Sequence, residues 1–96
     1  MRIWLDDIRP MPKGYTHHAR SVNEAKGFIK RAELSNEIIE CIDCDHDLGD
    51  YAKYGGDGIN LLDWLLERGT FYRILIHTAN PVGRANMQRI LDRFWV

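Results

Sequence analysis

Ile38-Ile39-Glu40-Cys41-Ile42-Asp43-Cys44-Asp45-His46-Asp47-Leu48-Gly49 is the stretch that decides the fold. Its first seven residues are dense in Ile and Cys, and they predict a strand over 38–44. The strand runs into Asp45-His46-Asp47 and is stopped by Gly49. Upstream, Ser21-Val22-Asn23-Glu24 forms a capping box, with the Ser accepting from the Glu24 amide and the Glu reaching back. Val22, Ala25, Phe28, Ile29 and Ala32 then recur at helical spacing and predict a helix over 22–33. Downstream, a loop rich in Gly, Tyr and Asp runs to Gly56. Asp57 is placed to cap a helix carrying Ile59, Leu62, Leu65 and Leu66, which ends at Gly69.

The same alternation extends to both ends of the chain. Arg2-Ile3-Trp4-Leu5 reads as a short buried strand ending in Asp6-Asp7. Two prolines and a glycine in Ile8–Gly14 exclude regular structure there. Tyr15 to Arg20 reads as a second, short strand, and Arg73-Ile74-Leu75-Ile76-His77-Thr78 as the last. Asn80-Pro81 is an N-cap followed by proline at the first helical position, and the helix it opens carries Met87, Ile90, Leu91 and Phe94. Strand–helix alternation of this kind implies a parallel sheet with right-handed crossovers. The fold class is therefore α/β, a three-layer, shortened flavodoxin-like sheet of three to four parallel strands with flanking helices.

Ninety-six residues make one domain, spanning 1–96. A hydrophobic fraction of 45% and a charged fraction of 28% suit a soluble globular protein. No apolar run approaches the ~20 residues of a membrane span, so no membrane partner is expected. Acids at positions 6 and 7 come too early for a signal peptide, which points to the cytoplasm. The formal net charge is −1, but it is unevenly spread. Residues 37–57 hold seven acids against the single base Lys53, inside an otherwise mildly basic chain. Such a segment is either a solvated loop or a cation holder. Cys41 and Cys44 are spaced C-x-x-C, but on a strand they face opposite ways, which disfavours a disulfide or a shared metal and predicts two reduced, buried thiols.

In parallel α/β sheets, ligands bind at the carboxyl ends of the strands. Here those ends carry Asp6-Asp7, Asp45-His46-Asp47 and His77-Thr78-Ala79-Asn80. Two carboxylates ~4 Å apart repel by about 4 kcal/mol at an effective dielectric of 20. A cluster of them calls for a hard divalent cation, Mg²⁺ or Mn²⁺, with Asp6, Asp7 and Asp45 as ligands. The N-terminus of the last helix offers amides for a phosphate, with Thr78, Asn80 and Arg84 adding donors and Arg9 a further charge. His46 and His77 end neighbouring strands and suit a base and an acid across that phosphate, with Asp47 orienting a neighbour or a water. His17 and His18 are read as surface residues. Tyr51, Tyr54, Trp64 and Trp95 are candidates for a contact surface, although packing is the commoner use of such side chains.

Leu5-Asp6-Asp7-Ile8-Arg9-Pro10, Asp45-His46-Asp47-Leu48-Gly49, Gly58-Ile59-Asn60-Leu61-Leu62-Asp63-Trp64-Leu65 and His77-Thr78-Ala79-Asn80-Pro81-Val82-Gly83 with Met87 together resemble the cyclic-phosphate-processing receiver-like domains. These are small bacterial and phage domains related in fold to response-regulator receivers. The resemblance implies a receiver-like fold and a role on cyclic phosphates, associated with RNA repair and phage–host conflict. Against ordinary receivers, Asp6 and Asp7 match the acidic pair, Asp45 the phosphoacceptor and Thr78 the hydroxyl. The sequence departs from them in lacking a fifth strand with its lysine, and in placing His46 and His77 at the strand ends.

The expected function is a metal-assisted phosphoesterase that opens a 2′,3′-cyclic phosphate of a nucleotide or RNA end. Two alternatives stand beside it: a non-catalytic nucleotide- or protein-binding effector module, and a degenerate receiver phosphorylated on Asp45. An open sheet edge makes a homodimer plausible.

Overall fold

Hydrophobic alternation along the strands decides which side of the sheet is packed by helices. A computed structural model describes residues 1–95. The elements are β1 (Arg2–Leu5), β2 (His17–Ala19), α1 (Val22–Leu34), β3 (Cys41–Cys44), α2 (Gly58–Arg68), β4 (Ile74–Ile76) and α3 (Pro81–Phe94). The strands form one parallel sheet in the order β2-β1-β3-β4. In register, Trp4 lies between His18 and Asp43, and Asp43 beside Leu75.

Ile3 and Leu5 of β1, with Ile42 and Cys44 of β3, face the main core. There they meet Val22, Ala25, Ile29 and Ala32 of α1, Leu61, Leu62 and Leu65 of α2, and Met87 of α3. Each large aliphatic side chain fully buried there contributes about 1.5–3 kcal/mol. All three helices therefore share one face of the sheet, and α2 touches both α1 and α3. The third layer is not a helix but the segment 6–16 between β1 and β2, because Pro10, Pro12 and Gly14 keep it irregular. It closes the opposite face, which carries Arg2, Trp4, Asp43 and His77.

Several boundaries differ from the sequence reading. β3 starts at Cys41 rather than Ile38; the segment before it is tied to Met1, whose carbonyl accepts from the Glu40 amide and whose ammonium donates to the Ile38 carbonyl. β2 and β4 keep only three residues each. The loop after β3 contains a 3₁₀ turn, Gly49–Lys53. Ser21 Oγ accepts from the Glu24 amide, but Glu24 reaches the amide of Arg20 rather than that of Ser21. Asp57 makes no cap bond to α2; its Oδ1 accepts from the Leu48 amide and ties the loop to the helix start. Gly69 closes α2 in the left-handed conformation, and Asn80 caps α3 by accepting from Gly83.

β4 is an edge strand. Arg73 and His77 bond towards β3, so by alternation Tyr72 and Ile76 face outwards. Side chains at the two ends of α3 cover those outward carbonyls. Trp95 Nε1 donates to Tyr72, and Arg84 donates to Ile76 and Thr78. Among the described residues, no helix is long and apolar enough to cross a membrane.

Candidate functional site

The strand register brings β1, β3 and β4 to a common carboxyl edge, and their terminal acids with them. A ligand oxygen from each of Asp6, Asp7 and Asp45 lies within 4.8 Å of the other two. Asp6 and Asp45 are buried and Asp7 is half-buried. Burial raises the Asp7 carboxyl above its ordinary value, and the negative charges of Asp6, Asp45 and Asp47 push it further up. Asp6 goes the other way. Burial pushes it up, but the amides of Ile8 and Arg9 and the His77 ring outweigh that and hold it low. Asp45 Oδ1 accepts from the His46 amide. Gly49, at φ +52°, lets the 3₁₀ turn pass over this cluster, since a Cβ there would sit 2.7 Å from Asp7 Oδ2.

His77 is enclosed. Its Nδ1 lies 2.7 Å from Asp43 Oδ1 and its Nε2 lies 2.9 Å from Asp6 Oδ2. Both ring nitrogens thus face carboxylate oxygens, which accept hydrogen bonds when ionised. Trp4 stacks on it, and the Tyr15 hydroxyl donates to the second oxygen of Asp43. Burial pushes the Asp43 carboxyl up, but His77 and Tyr15 outweigh it and leave it low. Burial and the Asp43 carboxylate raise the Tyr15 phenol to about 12. With both nitrogens engaged internally, His77 is not free to serve as the acid expected of it.

His46 is arranged differently. Its Nδ1–H donates to Asp47 Oδ1 at 2.8 Å, which leaves Nε2 as the ring's open acceptor. Asp47 is held in turn by Asn80 Nδ2 at 3.1 Å, and these two donors keep its carboxyl low. The imidazole lies under the first turn of α3, where a Cβ on Gly83 would come within 2.5 Å of its Cγ. Ligand atoms of His46, Asp47 and Asp57 also fall within 4.8 Å of one another.

The residues expected on a phosphate are placed unevenly. Thr78 Oγ1 accepts from the Asn80 amide and keeps its O–H to donate. Asn80 has its oxygen on the Gly83 amide and its nitrogen on Asp47, so its side chain is a cap and not a phosphate ligand. The Asn80 carbonyl accepts from the Arg84 amide, and Pro81 has no N–H, which leaves Val82 as the open amide of that turn. Arg84 points back at the carbonyls of Ile76 and Thr78. Arg9 reaches the rim, with NH1 3.4 Å from the His77 carbonyl.

Sequence reasoning missed Asp43 and Tyr15. An acid at the centre of a four-residue buried strand was the available signal. His17 and His18 are half-buried on β2 rather than superficial, and His18 Nε2–H donates to the Asp6 carbonyl at 2.9 Å. Trp64 and Trp95 are packed rather than displayed, the first among Lys26, Lys30 and Arg68 and the second against Phe71. Cys41 and Cys44 are free and buried.

A family model described as the cyclic-phosphate processing receiver domain matches residues 1–93, and the chain belongs to that family. No curated protein and no solved structure matches it.

Proposed function

From membership of a receiver family tied to cyclic-phosphate processing, we propose that this domain is a metal-assisted phosphoesterase. Its substrate is a 2′,3′-cyclic phosphate, on a nucleotide or an RNA end. The observation that carries the reading is the meeting of Asp6, Asp7 and Asp45 at one rim. Three carboxylates in mutual reach, one of them raised by burial and then by its neighbours, form a hard oxygen donor set that fits Mg²⁺ or Mn²⁺. Bound there, the ion supplies Lewis-acid polarisation of a phosphoryl oxygen and charge neutralisation.

The chain's own residues do the rest. Thr78 O–H, the Val82 amide and the free N–H groups of Arg9 hold the phosphoryl oxygens. His46, oriented by Asp47, takes a proton from the attacking water at Nε2. The water oxygen bonds to phosphorus and one ribose P–O bond breaks. The departing ribose oxygen takes a proton from solvent at the open rim, and the product is a phosphomonoester. His77 acts on this chemistry through Asp6, which it holds in place.

The test is turnover of a nucleoside 2′,3′-cyclic monophosphate with Mn²⁺, followed by ³¹P NMR. Opening of the ring by the wild type, and loss of at least about 100-fold in His46→Gln and Asp45→Asn, supports the reading. Tight binding without turnover would replace it with a binding module.

A further inference from the structure

We propose that Tyr51 and Tyr54 form a platform for the nucleobase, which makes the substrate a nucleotide rather than any small cyclic phosphodiester. The inference rests on the phosphate lying at the Asp6–Asp7–Asp45 rim, and it adds what holds the other end of the molecule. The two rings are open to solvent, at 39% and 47% exposure, and stand together on one turn. Their centres are 6.2 Å apart and their planes are tilted by 52°. Asp50, Tyr51, Lys53 and Tyr54 line a cleft of about 280 Å³. Lys53 Nζ stands 5.3 Å from the Tyr54 ring centre, which adds a cation near an anionic ligand.

The position of this cleft carries the argument. The 3₁₀ turn is anchored at both ends to the carboxyl edge of the sheet. At its start, the backbone of Gly49 passes directly over Asp7 Oδ2. At its end, the Tyr54 carbonyl accepts from the Asn23 amide in the first turn of α1, and Gly55 packs on Val22 and Asn23. Tyr51 is two residues from Gly49, a span of at most about 7 Å. The turn thus starts at the rim and carries the two tyrosines onward from it. No internal bond accounts for the display: the Tyr51 and Tyr54 hydroxyls have no partner among the described residues, in contrast to Tyr15 and Tyr72, which are bonded to Asp43 and Glu33. An open aromatic face on a turn that begins over Asp7 suits stacking on a base, and stacking tolerates any base because each has a π-face.

The experiment compares adenosine 2′,3′-cyclic monophosphate with glycerol 1,2-cyclic phosphate, each with Mn²⁺. The wild type should favour the nucleoside ester by roughly 10-fold in kcat/KM, carried by KM. In Tyr51→Ala/Tyr54→Ala that preference should fall to about one, and in Tyr51→Phe/Tyr54→Phe it should persist. The ring protons of both tyrosines should also shift in NMR spectra when the nucleoside ester is added. A preference that survives the double alanine change, or tyrosine signals that stay still, overturns the platform. Turnover of both esters with equal efficiency and no tyrosine shifts removes the platform and spares the phosphoesterase. Tyrosine shifts without turnover of either ester remove the phosphoesterase and support the platform.

Discussion

The indole of Trp4 lies flat on the imidazole of His77, with ring centres 3.6 Å apart and planes 6° apart. The stack fixes the ring in the plane in which Nδ1 meets Asp43 and Nε2 meets Asp6. His77 therefore supplies the hydrogen-bond donor for two buried carboxylates at once. Leaving a buried acceptor without its hydrogen-bond donor costs about 1–3 kcal/mol, and more where the acceptor is charged. His77→Ala should lower stability at pH 7 by that order, read from the urea midpoint. Both carboxyls are held below the ordinary value of 3.8. Their contribution is therefore full above that pH and is lost as the pH falls through the lowered folded values. The wild type should weaken in acid, and the variant should weaken less over the same window. A variant as stable as the wild type at pH 7 would show the clamp to be unimportant.

Asp7 has the opposite sign. Its folded value is raised above 3.8, so its charge opposes folding once the pH rises through that value. Asp7→Asn should raise the Tm of the cation-free protein at pH 7 by a few degrees and leave it unaltered in strong acid. The same change should abolish any rise in Tm on adding Mn²⁺. Differential scanning calorimetry with and without the ion reads both effects, and a variant that melts lower than the wild type without the ion contradicts the argument from burial and repulsion.

Two glycines should fail in different ways. A Cβ on Gly58 would stand 1.8 Å from the Asp45 carbonyl oxygen, a backbone atom that cannot move alone. Gly58→Ala should destabilise by about 3 kcal/mol or more. On Gly83 the clash is with the His46 ring, which can rotate. Gly83→Ala should leave most of the stability intact and turn the imidazole away from Asp47, so turnover should fall much further than Tm. Equal losses in both measurements would refute the distinction.

Both cysteines are fully buried, and burial followed by the nearby charges of Asp43 and Asp45 raises the Cys44 thiol far above its ordinary value. Thiolate is the reactive form, so native protein should not react with a disulfide reagent over minutes. Two equivalents should react once it is unfolded in guanidinium. A rapid native reaction of either thiol would mean that the core opens locally.

What could be read from the sequence follows physical locality. Capping residues, helical spacing and the strand-end acids are local patterns. They led to the parallel sheet and to the edge where Asp6, Asp7 and Asp45 meet. Asp43 was hidden because an acid within a strand ordinarily faces water, whereas here the proline-rich segment folds over it and brings Tyr15 onto it. The direction such a segment takes is set by tertiary contacts and not by its own residues. Arg84 misled for a related reason. A basic residue in the first turn of a helix suggests an anion, but an open strand edge beside it offers carbonyls that want a donor. His77 was placed at the correct strand end, yet nothing nearby in sequence shows that both its nitrogens are claimed from 34 and 71 residues away.

That long reach sets the timing of folding during translation. Asp6 leaves the ribosome early, and Asp43 follows well before the imidazole that joins them. Until His77 emerges, a nascent chain that closed β1 onto β3 would enclose two carboxylates that each lack the imidazole contact. Premature collapse is thereby penalised, and the polar face of the sheet assembles only after the final strand is in hand.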